Sequence, residues 1–486
     1  MRALHINRRG LLLAALAQPV IAIPIYAQQE GGASNDAAAP LPNRAPTSDA
    51  IRSLLALRVD VGQETLGYAA LVRDDAGPHL VTYATAGEAQ SRPLDGDTVF
   101  EIGSITKVFT ALLLADAVAR GEVKPTDPVE KFVPAEGRPK SFDNKPITLL
   151  DLVTHTSGLP SLPTNFRPGD MENPYADYTV EQLYNFLSEY TPRYYPGSHY
   201  DYSNLGFGLL GHVLALQAGR SYEELVVSRI CEPLGLSDTR ITLTPAMRKR
   251  LAQGHDKSLH PAPGWEFPTL AGTGGLRSTA NDMMRFLDAA QGKRKTDLTP
   301  AFQSLLEIRR QTSKNGVYAA AGWFVETAHN DELVVKDGGT GGYSSFIGYS
   351  VRTGIATVLL SNTGYLAPPV IATWSTTPGL GRHLLNPNFP LPALHRQVPI
   401  DPAKLAAYAG RYPLTPRFVL TVTPRDGRLM VQAAGLGEQE IFPESDTRFF
   451  SRVVDAQITF ELASDGTAVA LVLHQNGRNR RAVRSP

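Results

Sequence analysis

From Val108 through Phe109, Ala111, Leu112, Leu113 and Leu114 to Ala115 the chain is apolar almost all round a helical projection. That pattern predicts a helix buried in a core rather than one lying on a surface. Polar positions gather just before it, in Phe100-Glu101-Ile102-Gly103-Ser104-Ile105-Thr106-Lys107, and the helix is expected to end near Arg120-Gly121, with glycine at the C′ position. Upstream, Gly67–Val72 and His79–Ala84 read as two strands of a hairpin joined over Arg73–Pro78. Downstream, Pro146–Val153 starts a helical segment that stops at Thr154-His155-Thr156-Ser157-Gly158, and Ser161–Tyr178 is polar and loop-like. Val180–Tyr190 and Leu205–Leu216 are further helices, and Leu333–Lys336, Ser345–Ser350 and Ile355–Leu360 are strand-like runs separated by glycine-containing turns. Strands at both ends with helices between them predict an α+β class, an antiparallel sheet packed against helices.

Asn386–Pro402 carries Pro387, Pro390, Pro392, Pro399 and Pro402 and reads as a linker. Beyond it the period changes to two. Val419–Val422, Leu429–Gln432, Gln457–Phe460 and Ala468–Leu473 alternate, with Asp426-Gly427 and Asp465-Gly466 as turns, which predicts a small all-β domain of barrel type. Arg478, Arg480, Arg481 and Arg484 make the end basic, and a solvated terminus is the expectation there. At the other end, Arg2, Arg8 and Arg9, the apolar run Leu11–Ala17 and Ile25-Tyr26-Ala27 form an export signal with a cleavage site. Pro19 and Pro24 interrupt that segment and it is short for a stable membrane span. Asn7-Arg8-Arg9-Gly10-Leu11-Leu12 resembles a twin-arginine signal, without the usual hydroxyl residue before the arginines or the Phe after them. The expected organisation is therefore a signal over 1–27, a disordered linker over 28–49, a main domain over 50–385, a proline-rich linker over 386–402 and a β domain over 403–486, in a periplasmic or secreted protein.

Composition narrows the function classes. The 486 residues allow two or three domains, and 47 basic against 47 acidic side chains argue against nucleic acid as a main partner. The single cysteine, Cys231, excludes an intramolecular disulfide or a Cys-rich metal site and reads as a small buried side chain. The histidines are scattered, with no His-x-x-x-His pair, so no metal and no other cofactor is expected.

The candidate chemistry starts at Ser104 and Lys107. Three residues apart on a helix, they share a face. A serine in the first turn sits where free N–H groups favour developing negative charge, and a neighbouring amine desolvated by the core is neutral enough to take the hydroxyl proton. Ser-x-x-Lys alone is a weak pattern, and companions are needed. They follow in order as Tyr202-Ser203-Asn204, before the Leu205 helix, and Lys336-Asp337-Gly338-Gly339-Thr340-Gly341-Gly342, at a strand end. Taken singly these have structural alternatives: an aromatic cluster of Tyr202 with Tyr194, Tyr195 and Tyr200, a turn ion pair of Lys336 with Asp337, a helix N-cap for Asn204. His155 reads as a helix-terminating histidine bonded to backbone.

Ser-x-x-Lys, Tyr-x-Asn and Lys-x-Gly in this order resemble serine β-lactamases and penicillin-binding enzymes. With tyrosine in the middle element, and with Phe100–Ser104 and Thr154–Leu159 around it, the chain resembles class C β-lactamases and the D-alanyl-D-alanine peptidases and esterases related to them, over roughly Ile51–Leu385. The C-terminal part is similar to the lipocalin-like domain appended to some of these hydrolases. The resemblance implies Ser104 as nucleophile and Tyr202 with Lys107 as general base, the phenol being pulled down by Lys107 and Lys336. Asn204 would orient Lys107 or the substrate amide, Lys336 would belong to the substrate and proton network, and the N–H groups of Ser104 and Gly339 would form the oxyanion hole. Two positions depart from the family: Thr106, where a smaller residue is usual, and Asp337, where a hydroxyl or glycine is usual. An acid at Asp337 repels a substrate carboxylate unless it faces away, as strand alternation permits. Three functions are compatible: an exported acyl-enzyme hydrolase of β-lactams or D-Ala-D-Ala (peptidoglycan) peptides, an esterase on small neutral acyl groups, and a slowly acylated penicillin-binding sensor. The oligomeric state is not legible.

Overall fold

The computed structural model describes residues 44–85, 92–364, 376–433, 437–452, 456–475 and 477–485. The expected export signal lies outside them, as does most of the expected linker over 28–49. That linker ends earlier than expected, because Thr47 accepts a hydrogen bond from Ala50 N and caps a helix at Ser48–Ala56.

One eight-stranded antiparallel sheet organises the larger part. Its strands are β1 (Gly67–Asp74), β2 (Gly77–Ala84), β5 (Arg310–Gln311), β6 (Val317–Ala319), β7 (Phe324–Ala328), β8 (Asp331–Gly339), β9 (Ser344–Ser350) and β10 (Ala356–Ser361), in the order β2-β1-β10-β9-β8-β7-β6-β5; β3 (Phe100–Glu101) and β4 (Arg277–Ser278) pair separately. The expected hairpin is present with a tighter turn, since the strands run on to pair Asp74 with Gly77. Both faces of the sheet are covered, and the period-two alternation of β1 shows how. Ala69 and Leu71 join the large core shared with the helices, while Tyr68, Ala70 and Val72 pack with Ile51 and Leu55 of the first helix and Leu380 and Leu384 of the Thr376–Leu385 helix.

The predicted central helix spans Thr106–Ala119, with Arg120 as C-cap and Gly121 at positive φ. Eleven of its fourteen residues are buried, Lys107 among them. Its neighbour at Asn204–Ala218 is also apolar all round and ends on Gly219 in the left-handed conformation.

The C-terminal part is an eight-stranded up-and-down sheet in chain order from β11 (Gly410–Thr415) and β12 (Phe418–Arg425) through β13 (Arg428–Ala433), β14 (Glu438–Pro443), β15 (Arg448–Ser451) and β16 (Ala456–Leu462) to β17 (Ala468–Gln475) and β18 (Arg478–Val483). Ser485 N donates to Arg411 O at 2.7 Å, bringing the first and last strands together into a nearly closed barrel. Its interior is filled rather than hollow: Tyr408, Tyr412, Phe449, Phe460 and Leu471 are buried in one cluster. The basic end is thus not a loose terminus. Arg478–Val483 is the strand that closes the barrel, and Arg481 is paired to Glu461 at 2.6 Å.

Residues 386–401, read as a linker, have no regular structure but are held at several points. Arg58 donates to the carbonyls of Pro392 (2.6 Å) and Ala393 (3.2 Å), and His395 bonds Glu444 of the barrel at 2.8 Å.

Candidate active site

Ser104 lies in a single 3-10 turn, Gly103–Ile105, immediately before the central helix. The helix itself begins at Thr106, so Ser104 precedes its first turn while still facing Lys107, whose Nζ is 2.9 Å from Ser104 Oγ. Gly103 has φ +47°, and a Cβ added there would lie 2.5 Å from Gly339 N. A Cβ on Gly338 would meet Ile102 O at 2.1 Å and Ser104 N at 2.9 Å. Only glycine permits this approach, which sets the end of β8 against the serine turn. Ser345 Oγ, donating to Ile102 O at 2.9 Å, ties β9 to the same turn. The backbone around Ser104 and Gly339, the expected oxyanion pair, is therefore one contact surface.

Tyr202 reaches the serine from the opposite side. Its hydroxyl donates to Ser104 Oγ at 3.1 Å, and Lys336 Nζ donates to Tyr202 OH at 3.4 Å. Lys336 lies over the Tyr202 ring at 4.9 Å and the Phe324 ring at 4.6 Å, and is buried. Four of the expected side chains, Ser104, Lys107, Tyr202 and Lys336, thus form one continuous hydrogen-bonded chain. Asn204 does not bond Lys107, as one reading of it required. The second partner of Lys107 is the carbonyl of Thr273, at 2.8 Å, and Asn204 Oδ1 accepts from the Thr273 hydroxyl at 3.2 Å. Nor is Asn204 the helix N-cap: Ser203 caps it, accepting from Gly206 N at 2.8 Å. The one sequence signal for Thr273 is its place in the glycine-rich Ala271-Gly272-Thr273-Gly274-Gly275, which the three motifs do not include. Of the two departures, Thr106 is accommodated because its hydroxyl accepts from Leu276 N at 3.1 Å. Asp337 does face away from the serine side. By alternation Lys336 shares the face of Val334, which belongs to the core with the helices, whereas Asp337 shares that of Val335 and lies 4.0 Å from Arg382, itself clamped by Glu326 at 2.6 and 2.8 Å.

The electrostatics differ from the expectation at one residue. Burial, reinforced by the charge of Lys336, holds the Lys107 amine well below its ordinary value. Burial also lowers Lys336, to about 8. Tyr202 moves the other way. Burial pushes the phenol up; the bond to Ser104 opposes it in part, and the Asp337 carboxylate adds a lesser upward push. The expected depression of the phenol by two cations fails because desolvation penalises the phenolate more strongly, and because Lys107 is itself driven toward the neutral amine.

His155, at φ +57°, ends the Leu149–Val153 helix, and its Nδ1 accepts from Ser203 N at 3.0 Å. Its ring lies 4.4 Å from that of Tyr202. Burial, then Lys336 and Lys107, hold it well below its ordinary value, so the ring is a neutral plate that fixes the tyrosine loop. Asparagine tolerates the same backbone and keeps an acceptor but removes the plate. His155→Asn is expected to lower kcat roughly tenfold to a hundredfold by misplacing Tyr202, with the shape of the pH–rate profile retained. Loss of the acidic limb of that profile would instead make His155 a proton-transfer group.

Among the described residues no group of three or more His, Cys, Asp or Glu is placed to hold a metal ion, and no helix is long and apolar enough to cross a membrane. Cys231 is buried and its thiol is pushed up by burial.

Comparison with known proteins bears on both parts of the chain. Residues 49–376 match the family model described as Beta-lactamase, and residues 394–482 match a model described as a domain of unknown function, DUF3471. A β-lactamase of Pseudomonas fluorescens is 27% identical over 335 residues, covering 62% of this chain and 90% of the relative. The D-alanyl-D-alanine-carboxypeptidase/endopeptidase AmpH of Escherichia coli K12 is 31% identical over 268 residues, covering 52% and 67%. Among solved structures, a class C β-lactamase from Rhodobacter sphaeroides superposes with a TM-score of 0.55 at 24% identity, covering 65% of this chain and 94% of that one, a likeness of fold.

Proposed function

Because the chain belongs to the β-lactamase family, as a serine hydrolase of the class C type, we propose that it is an exported enzyme that cleaves β-lactam amides or D-Ala-D-Ala peptides through an acyl-enzyme on Ser104. The observation that carries this reading is the convergence on Ser104 Oγ of Lys107 Nζ at 2.9 Å and Tyr202 OH at 3.1 Å, with Lys336 behind the tyrosine.

The directions of the pKa shifts support one proton path. Neutral Lys107 has a lone pair for the Ser104 proton, and its remaining hydrogens serve the Thr273 carbonyl. As Oγ bonds to the scissile carbonyl carbon, negative charge collects on the carbonyl oxygen, which the N–H groups of Ser104 and Gly339 receive. The protonated Tyr202 then gives its hydroxyl proton to the leaving nitrogen as the C–N bond breaks, and is resupplied from Lys107 or Lys336. Water repeats the sequence on the ester, releasing the acid and free Ser104. Asn204, fixed through Thr273 and Tyr175, is placed to bond the substrate amide. Lys336 supplies a cation for a substrate carboxylate, and Asp337, turned toward Arg382, does not stand in its way. Export rests on the signal-like sequence of residues 1–27.

The test is mass spectrometry, of the intact protein and of its peptides after digestion, with a β-lactam and with an N-acyl-D-Ala-D-Ala peptide. A mass increase on the Ser104 peptide that decays with time is expected. A stable adduct without turnover would favour the sensor, and no adduct with either compound, but one with a short neutral ester, would favour the esterase.

A further inference from the structure

Apart from Arg452, which bonds Gln63 and Gln397, the arginines of the barrel divide into two groups. Arg425, Arg428, Arg448 and Arg481 are paired with Glu438, Glu440, Glu444 and Glu461. Arg411, Arg417, Arg478, Arg480 and Arg484 have no acidic partner within ion-pair distance among the described residues; all but Arg484 are exposed, and Arg484 is half-buried. All five lie on or beside β11, β12 and β18, around the seam where the barrel closes. The four strands at that seam, β17, β18, β11 and β12, contain no Asp or Glu. In a chain whose acidic and basic side chains balance, this is a concentration of unneutralised positive charge.

The same region carries the exposed aliphatic side chains of the barrel: Leu462 at 38%, Val469 at 43% and Val483 at 57% exposure. Backbone pairing sets them beside Arg411 and Arg484, whereas Arg417, Arg478 and Arg480 lie toward the opposite ends of the same strands, Arg480 facing Leu473. Val483 is opposite Ala470, Arg484 N donates to Val469 O at 2.8 Å, Leu462 is opposite Ala468, and Ser485 N donates to Arg411 O. With strands about 4.8 Å apart, β16, β17, β18 and β11 span roughly 15 Å, and this end of the seam holds Leu462, Val469, Val483, Arg411 and Arg484. The other side of the barrel is the one that meets the hydrolase part. Arg452, just after β15, donates to Gln63 at 3.4 Å, and the 386–401 segment joins Arg58 to Glu444. In the strand order β15 stands opposite β11, so the seam faces away from that contact.

We propose that the β11–β18 seam docks the protein on an anionic phospholipid surface, the arginines meeting phosphates and Leu462, Val469 and Val483 entering the interface. A soluble polyanion would satisfy the arginines alone; exposed aliphatics beside them fit a surface with an apolar layer under its charge. This inference does not depend on the acyl-enzyme reading.

The experiment is co-sedimentation of the full chain with vesicles of phosphatidylcholine containing about one third phosphatidylglycerol, and with phosphatidylcholine alone, at low and at high salt. Binding to the anionic vesicles that is lost at high salt, with none to the neutral ones, is the expected result. Each arginine near such a surface is worth about fivefold in partitioning. A variant carrying Arg411→Gln and Arg484→Gln should therefore bind about twenty-fivefold less, and Val483→Asp should weaken binding as well. The apolar N-terminal segment is common to all these proteins, so the difference reads the barrel. Unchanged melting temperatures guard against misfolding, and Val483→Asp, at an exposed position, keeps the test open if the double variant is unstable. Equal sedimentation of the variants and the parent would overturn the proposal. So would binding to soluble dextran sulfate that tracks the arginines while Val483→Asp leaves vesicle binding unchanged, which would point to a polyanion instead.

Discussion

Ser104→Ala is expected to abolish acyl-enzyme formation with any β-lactam and to lower turnover by roughly 10³–10⁶-fold, the range over which loss of a nucleophile acts when its partners remain. The prediction is severe because, among the described residues, no other hydroxyl or thiol is placed to substitute. The hydroxyl of Tyr202 is bonded to Ser104 itself, Thr273 bonds Asn204, and Cys231 lies buried near Thr239, with its sulfur 3.4 Å from that carbonyl. The fold should be indifferent. Ser104 is partly exposed and the change removes one oxygen, so stability should move within about 0.5 kcal/mol. Lys107 keeps its bond to the Thr273 carbonyl. The measurement is the intact mass after incubation with a β-lactam, beside a melting curve of each protein. A folded Ser104→Ala protein that still turns over substrate would remove the whole assignment, since every other role is defined by distance to that oxygen.

The elements that position Ser104 were legible because their sequences obey one period over many residues. The Thr106–Ala119 helix is apolar all round, and β1 and β10 are runs long enough to cross a sheet. Where the structure held more than the sequence displayed, the reason is local. β5, β6 and β7 are two, three and five residues long, too short to establish a period, and exist because β8 offers them an edge. The Thr376–Leu385 helix contains Pro378, Gly379 and Gly381, a composition that reads as loop. Proline is tolerated in a first turn, and Gly381 is needed where it is, because a Cβ there would meet the Phe346 ring at 2.2 Å. Helix and Arg382 thus come as one unit, and with it the partner of Asp337. At the site, the order of three short motifs identified Ser104, Lys107, Tyr202 and Lys336. It could not reveal the Thr273 carbonyl, because a backbone acceptor has no residue type. Nor could it give the direction of the Tyr202 shift, which depends on burial.

Lys107→Met and Lys336→Met are expected to separate activity from stability. Methionine approximates the length of the lysine stem and carries no charge. Loss of the base at Lys107 should lower kcat/KM by roughly 10²–10⁴-fold. Loss of Lys336 should cost less, on the order of tenfold to a hundredfold, as expected for one charge-assisted hydrogen bond. Stability should respond in the opposite sense. The amine of Lys336 is lowered by burial from 10.5 to about 8, so between these two values the unfolded chain holds a proton that the folded one lacks. Stability therefore rises with pH across that window, and below it the folded protein bears the full cost of a buried ammonium. Removing that ammonium should stabilise the protein near neutral pH by roughly 1–3 kcal/mol, and flatten the rise in stability from about pH 8 upward. The pH dependence of rate follows from the same groups. The neutral form of Lys107 sets the acidic limb and the charged form of Lys336 the alkaline limb, so parent activity should fall above about pH 8. Lys336→Met should lose that alkaline limb, while the acidic one persists but moves to higher pH, because the charge that helped lower Lys107 is gone. Melting temperatures and kcat/KM across this range for the three proteins provide the check. A Lys336→Met protein that is both destabilised at neutral pH and unchanged in its alkaline limb would mean that the surroundings stabilise the ammonium, and that its titration does not set the alkaline limb.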